Sequence, residues 1–181
     1  MDEKTYLISK DTRIDEDIHI KPDEKLIIIG NDTKVWFGTK REVNVTIEGT
    51  LDNHGKMMLV GCRMLLCGNT IRNFGIISLS NTSEITLGQK AGPRMLNAGM
   101  IYLKDSSELK NAKENGETVL ENAGMIQASD ESVILLGNEK NRIINNVGIM
   151  RFSGKNNYVD ECGNGFVNNG IIEILSKEAG G

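Results

Sequence analysis

The sequence predicts an all-β protein: a single-stranded, right-handed parallel β-helix of about seven coils with an N-terminal cap. Three observations carry that expectation. A motif, apolar-x-Asn-x-Gly-x-apolar-x-apolar, occurs six times between Leu51 and Ile174. Within each copy the apolar positions alternate with period 2, the spacing of a strand rather than a helix. A second short apolar stretch follows each motif, and in three repeats a glycine closes it 13 residues after the motif glycine.

Residues 1–50 form the predicted N-terminal cap and first coils. They read as TYLI, TRIDEDIHI, KLIIIG, KVWFG and VNVTIEG, short alternating strands separated by Lys10-Asp11, Lys21-Pro22-Asp23 and Gly30-Asn31-Asp32. Solenoid ends need atypical repeats, because an ordinary coil would leave its core open. Asp15, Glu16 and Asp17 lack the regular Asp/Gly spacing of a calcium loop and are expected to sit in a solvated turn.

Residues 51–175 form the predicted β-helix repeats, and 176–181 a polar tail. The motif asparagines are Asn53, Asn73, Asn97, Asn122, Asn146 and Asn168, and the glycines are Gly55, Gly75, Gly99, Gly124, Gly148 and Gly170. Glycine spacings of 20, 24, 25, 24 and 22 residues are too short for each unit to bury its own apolar side, so the units must stack. At ~4.8 Å per coil the five steps make a rod of about 24 Å. Asparagine at one recurrent inward position is expected to form a ladder, each amide bonding those above and below. Glycine two residues on suits a bend that needs positive φ or a close backbone approach. The second strands, MLLCG, ITLG and VILLG, end at Gly68, Gly88 and Gly137; Ala112 stands at that offset in the third repeat, and Cys162-Gly163 arrives late in the fifth. After Leu175 only SKEAGG remains, so the Phe166–Leu175 edge is expected to meet another chain.

Composition excludes several function classes. There are 21 Lys+Arg against 25 Asp+Glu, which argues against a nucleic-acid footprint. No apolar run approaches the ~20 residues of a membrane span. Three cysteines, Cys62, Cys67 and Cys162, make neither a disulfide framework nor, with only His19 and His54, a four-ligand zinc site. No cofactor is expected. The start, MDEKTYLISKD, shows no basic segment leading into an apolar stretch. With a native Met1 the expected compartment is the cytoplasm; for a fragment of a secreted chain it is the cell surface or beyond.

Enzymes on parallel β-helices need clustered carboxylates or a basic catalytic residue in a groove. Glu84, Asp105, Glu108, Asp130 and Glu131 are candidates for an acidic ridge, but acids in such turns are ordinarily solvated. Gly163–Gly165 falls in a solenoid turn and not before a helix, so it is no phosphate loop. No catalytic residue is assigned.

The apolar-x-Asn-x-Gly-x-Ile repeats resemble those of filamentous haemagglutinin-like adhesins and other bacterial surface β-helix proteins. The segment TRIDEDIHIKPDEKLIIIG is similar to the entry of such solenoids, where a strand pair and a proline turn lead into the first coil. The resemblance covers the chain from about Thr5 to Ile174 and implies an adhesion or binding scaffold. Similarity to bactofilin cytoskeletal proteins is architectural only, since their coil period is shorter and lacks the Asn-x-Gly signature.

Alternation makes one further expectation. With Asn and Gly inward, the residues after each point outward. The two columns are mainly apolar from the second motif onward, and Phe74, Ile76, Met100, Met125, Val147, Ile149 and Ile171 form a candidate interface. A solvated face would be polar there. The expected function is a non-catalytic structural scaffold that forms homo-oligomers or end-to-end assemblies. The alternatives are an adhesin-type module for a glycan or protein ligand and, last, a carbohydrate-active enzyme.

Overall fold

A computed structural model describes residues 4–68, 70–88, 94–111, 118–135, 142–154 and 166–175. Every regular element in them is a strand. The first coil comprises β1 (Lys4–Ile8), β2 (Thr12–Ile14) and β3 (Ile18–Ile20), and the second β4 (Glu24–Ile28), β5 (Lys34–Phe37) and β6 (Val43–Ile47). The third holds β7 (Thr50–Asn53), β8 (Lys56–Leu59) and β9 (Cys62–Leu66), and the fourth β10 (Thr70–Asn73), β11 (Ile76–Leu79) and β12 (Glu84–Leu87). The fifth holds β13 (Arg94–Asn97), β14 (Met100–Leu103) and β15 (Glu108–Asn111), and the sixth β16 (Val119–Asn122), β17 (Met125–Ser129) and β18 (Val133–Leu135). Two further coils contribute β19 (Arg142–Asn145) with β20 (Ile149–Ser153), and β21 (Phe166–Asn168) with β22 (Ile171–Ile174).

Each strand pairs in parallel with its equivalent one coil away. The first strands of successive coils make an eight-stranded sheet A, the second strands an eight-stranded sheet B, and the third strands a six-stranded sheet C. The result is a β-solenoid with six complete coils and two that are described on two sides, in place of about seven. The positions of Gly137, Ala112, Cys162 and Gly163 lie outside the described residues.

In-register pairing turns each inward position into a column. Met57, Ile77, Ile101, Ile126 and Met150 stack in sheet B, and Met64, Ile85, Leu109 and Ile134 in sheet C. All of these are buried. Burying one such side chain contributes about 1.5–3 kcal/mol, and repetition of similar volumes lets each layer pack on the next without gaps. Segment 4–47 belongs to this stack as two regular coils. Tyr6, Ile8, Ile14 and Ile18 of the first coil are half-buried against the core. At the other end Ile172, which pairs with buried Met150, is 41% exposed.

The corner between sheets B and C repeats a four-residue turn. Asn81-Thr82, Asp105-Ser106 and Asp130-Glu131 all hold positive φ, between 51° and 64°. The flanking bonds run from Ser83 N to Ser80 O, Ser107 N to Lys104 O and Ser132 N to Ser129 O, at 3.1–3.3 Å. Two left-handed central residues inside such a bond define a type I′ turn. Ser83, Ser107 and Ser132 follow as a buried column. Ser83 Oγ donates to Ser80 O and accepts from Cys62 N, and Ser132 Oγ accepts from Ser107 N. Hydroxyls at this corner therefore add a second partner to turn groups such as Ser80 O and Ser107 N and take up the Cys62 N–H one coil away.

Candidate functional site

The corner between sheets A and B carries both the asparagine ladder and the apolar stripe. Asn53 Nδ2 donates to Asn73 Oδ1 at 2.7 Å, Asn73 to Asn97 at 2.7 Å and Asn97 to Asn122 at 2.8 Å. Asn122 continues to Asn145 at 2.8 Å and Asn145 to Asn168 at 2.7 Å. The second N–H of each amide reaches past the corner to the carbonyls of Ile76, Met100, Met125, Ile149 and Ile171, at 3.0–3.3 Å. Asn53 through Asn145 are buried. A buried amide is tolerated only when its donors and acceptor are engaged, and here stacking supplies the partners.

One ladder position departs from the expected residue. The fifth-motif asparagine in the ladder is Asn145, and Asn146 is exposed. Asn145 lies three residues before Gly148, where the other motifs have two. The additional residue is absorbed at the corner, with Val147 at a φ of 54° and 73% exposed. A bulge there displaces no core side chain, whereas a slip within β19 would turn the strand's faces over. The Asn-x-Gly spacing selects Asn146, but because Ile143 and Ile144 are both apolar and Asn145 and Asn146 identical, the strand itself accepts either residue as the rung.

Of the two reasons offered for the motif glycines, close approach applies. A Cβ on Gly75 would lie 2.1 Å from Gly55 O, and one on Gly99 2.0 Å from Gly75 O. The motif glycines are absent from the positive-φ residues, which include Gly30, Gly38 and Gly88. Backbone thus stacks on backbone at this corner, and a channel runs along the rod above it.

That channel is a groove of about 640 Å³. Its floor is Gly55, Gly75, Gly99 and Gly124. Its sheet A wall is His54, Phe74, Ala98, Ala123 and Val147, and its sheet B wall is Ile76, Met100, Met125 and Ile149. Ile171 does not line it; it lies on β22, 53% exposed. The alternation rule therefore places six of the seven predicted interface residues in one groove. The floor is polar only in name, because Gly55 O, Gly75 O, Gly99 O and Gly124 O accept from Ile76, Met100, Met125 and Ile149 N at 2.8–2.9 Å. At the lower end His54 stacks on Phe74 with ring centroids 4.9 Å apart, beside Asn31.

Several other reactive groups among the described residues are buried or paired. Burial, then the nearby Glu42, pushes the Cys62 thiol up to about 12, so it stays protonated at neutral pH and is a poor nucleophile. Burial and Glu48 likewise raise Cys67. Glu84 and Glu108 stack in adjacent coils and share Lys110 Nζ, at 2.6 and 3.2 Å. Asp15 accepts from Thr39 Oγ1 and Lys40 N, and Asp17 from Asn44 N. Among the described residues no group of three or more His, Cys, Asp or Glu is placed to hold a metal ion, and no helix is long and apolar enough to cross a membrane.

The serine column went unread in the sequence. Its signal is the recurrence of SNTS, KDSS and SDES before the third strands. Comparison of the chain with family models, with curated proteins and with solved structures finds no match.

Proposed function

We propose that the chain is a non-catalytic β-solenoid scaffold that self-associates through the groove between sheets A and B. The observation that carries this is the chemistry of the groove. Its walls from Phe74 to Ile149 are apolar, and the floor carbonyls are already bonded within the solenoid. A sugar needs hydrogen-bonding partners to replace its water; an apolar protein surface does not. Sedimentation velocity over a range of concentrations tests the proposal. The wild type is expected to grow in mass with concentration, and Met100→Glu with Met125→Glu to stay small with unchanged circular dichroism. A wild type that remains monomeric overturns it.

The adhesin-type alternative draws on one feature, the stacked His54 and Phe74 rings at the groove's end. Such a platform suits the face of a sugar ring. Glycan binding that Phe74→Ala abolishes, in a protein that stays monomeric, would favour that second function.

A further inference from the structure

We infer that two copies of this chain pair side by side with their solenoid axes parallel, about a two-fold axis that runs along the groove. Met100 and Met125 of each copy then fill the hollow over Ala98 and Ala123 of the other. This rests on the self-association proposed above and adds its geometry.

The two walls have unequal heights. On the sheet A side the middle of the wall is Ala98 and Ala123, which end at Cβ. On the sheet B side the same levels carry Met100 and Met125, three heavy atoms longer. In-register pairing puts Met125 directly over Met100, and the Tyr102 hydroxyl donates to Met100 Sδ at 3.0 Å. Met100 is 39% exposed. The groove thus presents a ridge and a hollow at the same two levels.

A two-fold axis parallel to the rod sets the sheet A wall of one copy against the sheet B wall of the other at equal height. Ala98 faces Met100 of the second copy and Ala123 faces its Met125, so ridge enters hollow twice. An antiparallel pairing instead sets Ala98 against Ala123 and Met100 against Met125. That leaves a gap at one wall and a collision at the other, and both forfeit dispersion contacts. The parallel pairing is isologous and closes at two copies. The floor asks nothing of the entering side chain, because Gly75 O and Gly99 O are bonded to Met100 N and Met125 N at 2.9 Å. With coils ~4.8 Å apart the stripe covers on the order of 200–300 Å², below the ~800 Å² per partner of a standard interface. The pair is therefore weak and reversible, and its test needs concentrated protein.

Disulfide trapping reads the geometry. In a background with Cys62, Cys67 and Cys162 replaced by alanine, Ala98→Cys and Met100→Cys chains are mixed and oxidised. Parallel pairing gives a covalent dimer between the two variants. A dimer from Met100→Cys with Met125→Cys, and none from the first mixture, overturns the geometry while leaving self-association intact. A wild type that sediments as a monomer under the same conditions overturns both. If the cysteine-free background does not fold, Ala98→Met with Ala123→Met in the native chain decides the matter. Filling the hollow weakens parallel pairing by about tenfold or more, whereas tighter association would mean that alanine faces alanine.

Discussion

Asn122 Nδ2 donates to Asn145 Oδ1 at 2.8 Å, and two residues beyond that acceptor Val147 holds a φ of 54°. The ladder is thus kept continuous at the cost of a left-handed, β-branched residue on the surface. Buried amides left without a partner are more expensive than one strained exposed residue.

Removing a rung is expected to destabilise the fold. Asn122→Leu leaves the flanking Asn97 and Asn145 amides each short of a partner, costing on the order of 1–3 kcal/mol. Asn145→Ala should fall in the same range and Asn146→Ala within about 0.5 kcal/mol of wild type. Denaturant unfolding measures all three. Equal effects at Asn145 and Asn146 would refute the register at this corner.

Relieving the strain at the bulge should stabilise. Val147→Gly removes the β-branched side chain from a left-handed backbone, and an increase of about 0.5–1 kcal/mol is expected. A lower melting temperature would show that the exposed valine contributes packing that outweighs its strain.

Gly99→Ala should destabilise by about 1–3 kcal/mol or more. The new Cβ would lie 2.0 Å from Gly75 O, and backbone cannot step aside as a side chain does. Gly61→Ala provides the control, since the nearest atom there is Gly38 O at 3.0 Å. Similar losses at both sites would mean that glycine acts at Gly99 by something other than close stacking.

Acid should weaken the contacts that Glu24 makes between the first two coils. The Glu24 carboxylate accepts from Lys21 N at 2.9 Å and from the Tyr6 hydroxyl at 3.2 Å. The Lys21 N–H above all holds its pKa below the ordinary 4.5. A folded pKa below the unfolded one means stability that is present above about pH 4.5 and lost as pH falls through the folded value. Glu24→Gln should therefore flatten the dependence of the melting temperature on pH in the acid range. An unchanged slope would exclude this carboxylate as a source.

Thiol labelling should follow burial. In a Cys162→Ala chain at pH 8, Cys67 is expected to react more slowly than a free cysteine and Cys62 only on unfolding, because burial keeps both thiols protonated. Rapid modification of both thiols in the folded state would contradict the packing at the start of β9.

What the sequence determined by itself is the fold class and the facing of side chains. Period-2 alternation repeated six times assigns inward and outward residues along each strand, and a repeat too small to bury its own core must stack. From the recurrence of the Asn-x-Gly motif the ladder and the tight corner were legible, and from the residues after each Asn and Gly, such as Phe74, Ile76, Met100 and Met125, the apolar stripe outside it. Tertiary structure decided what depends on atoms a whole coil away. The Asn-x-Gly spacing points to Asn146, and only pairing with Asn122 shows that Asn145 is the rung. The glycines admit two explanations in the sequence, and only the position of the carbonyl one coil below selects close approach. The serine column was hidden because its hydroxyls bond backbone groups in type I′ turns and one coil away, and the left-handed Thr82, Ser106 and Glu131 of those turns follow no strong local preference. A stripe of apolar residues became a groove with unequal walls only once the sheets met at their corner, because depth is set by the angle between sheets and not by the order of residues within them.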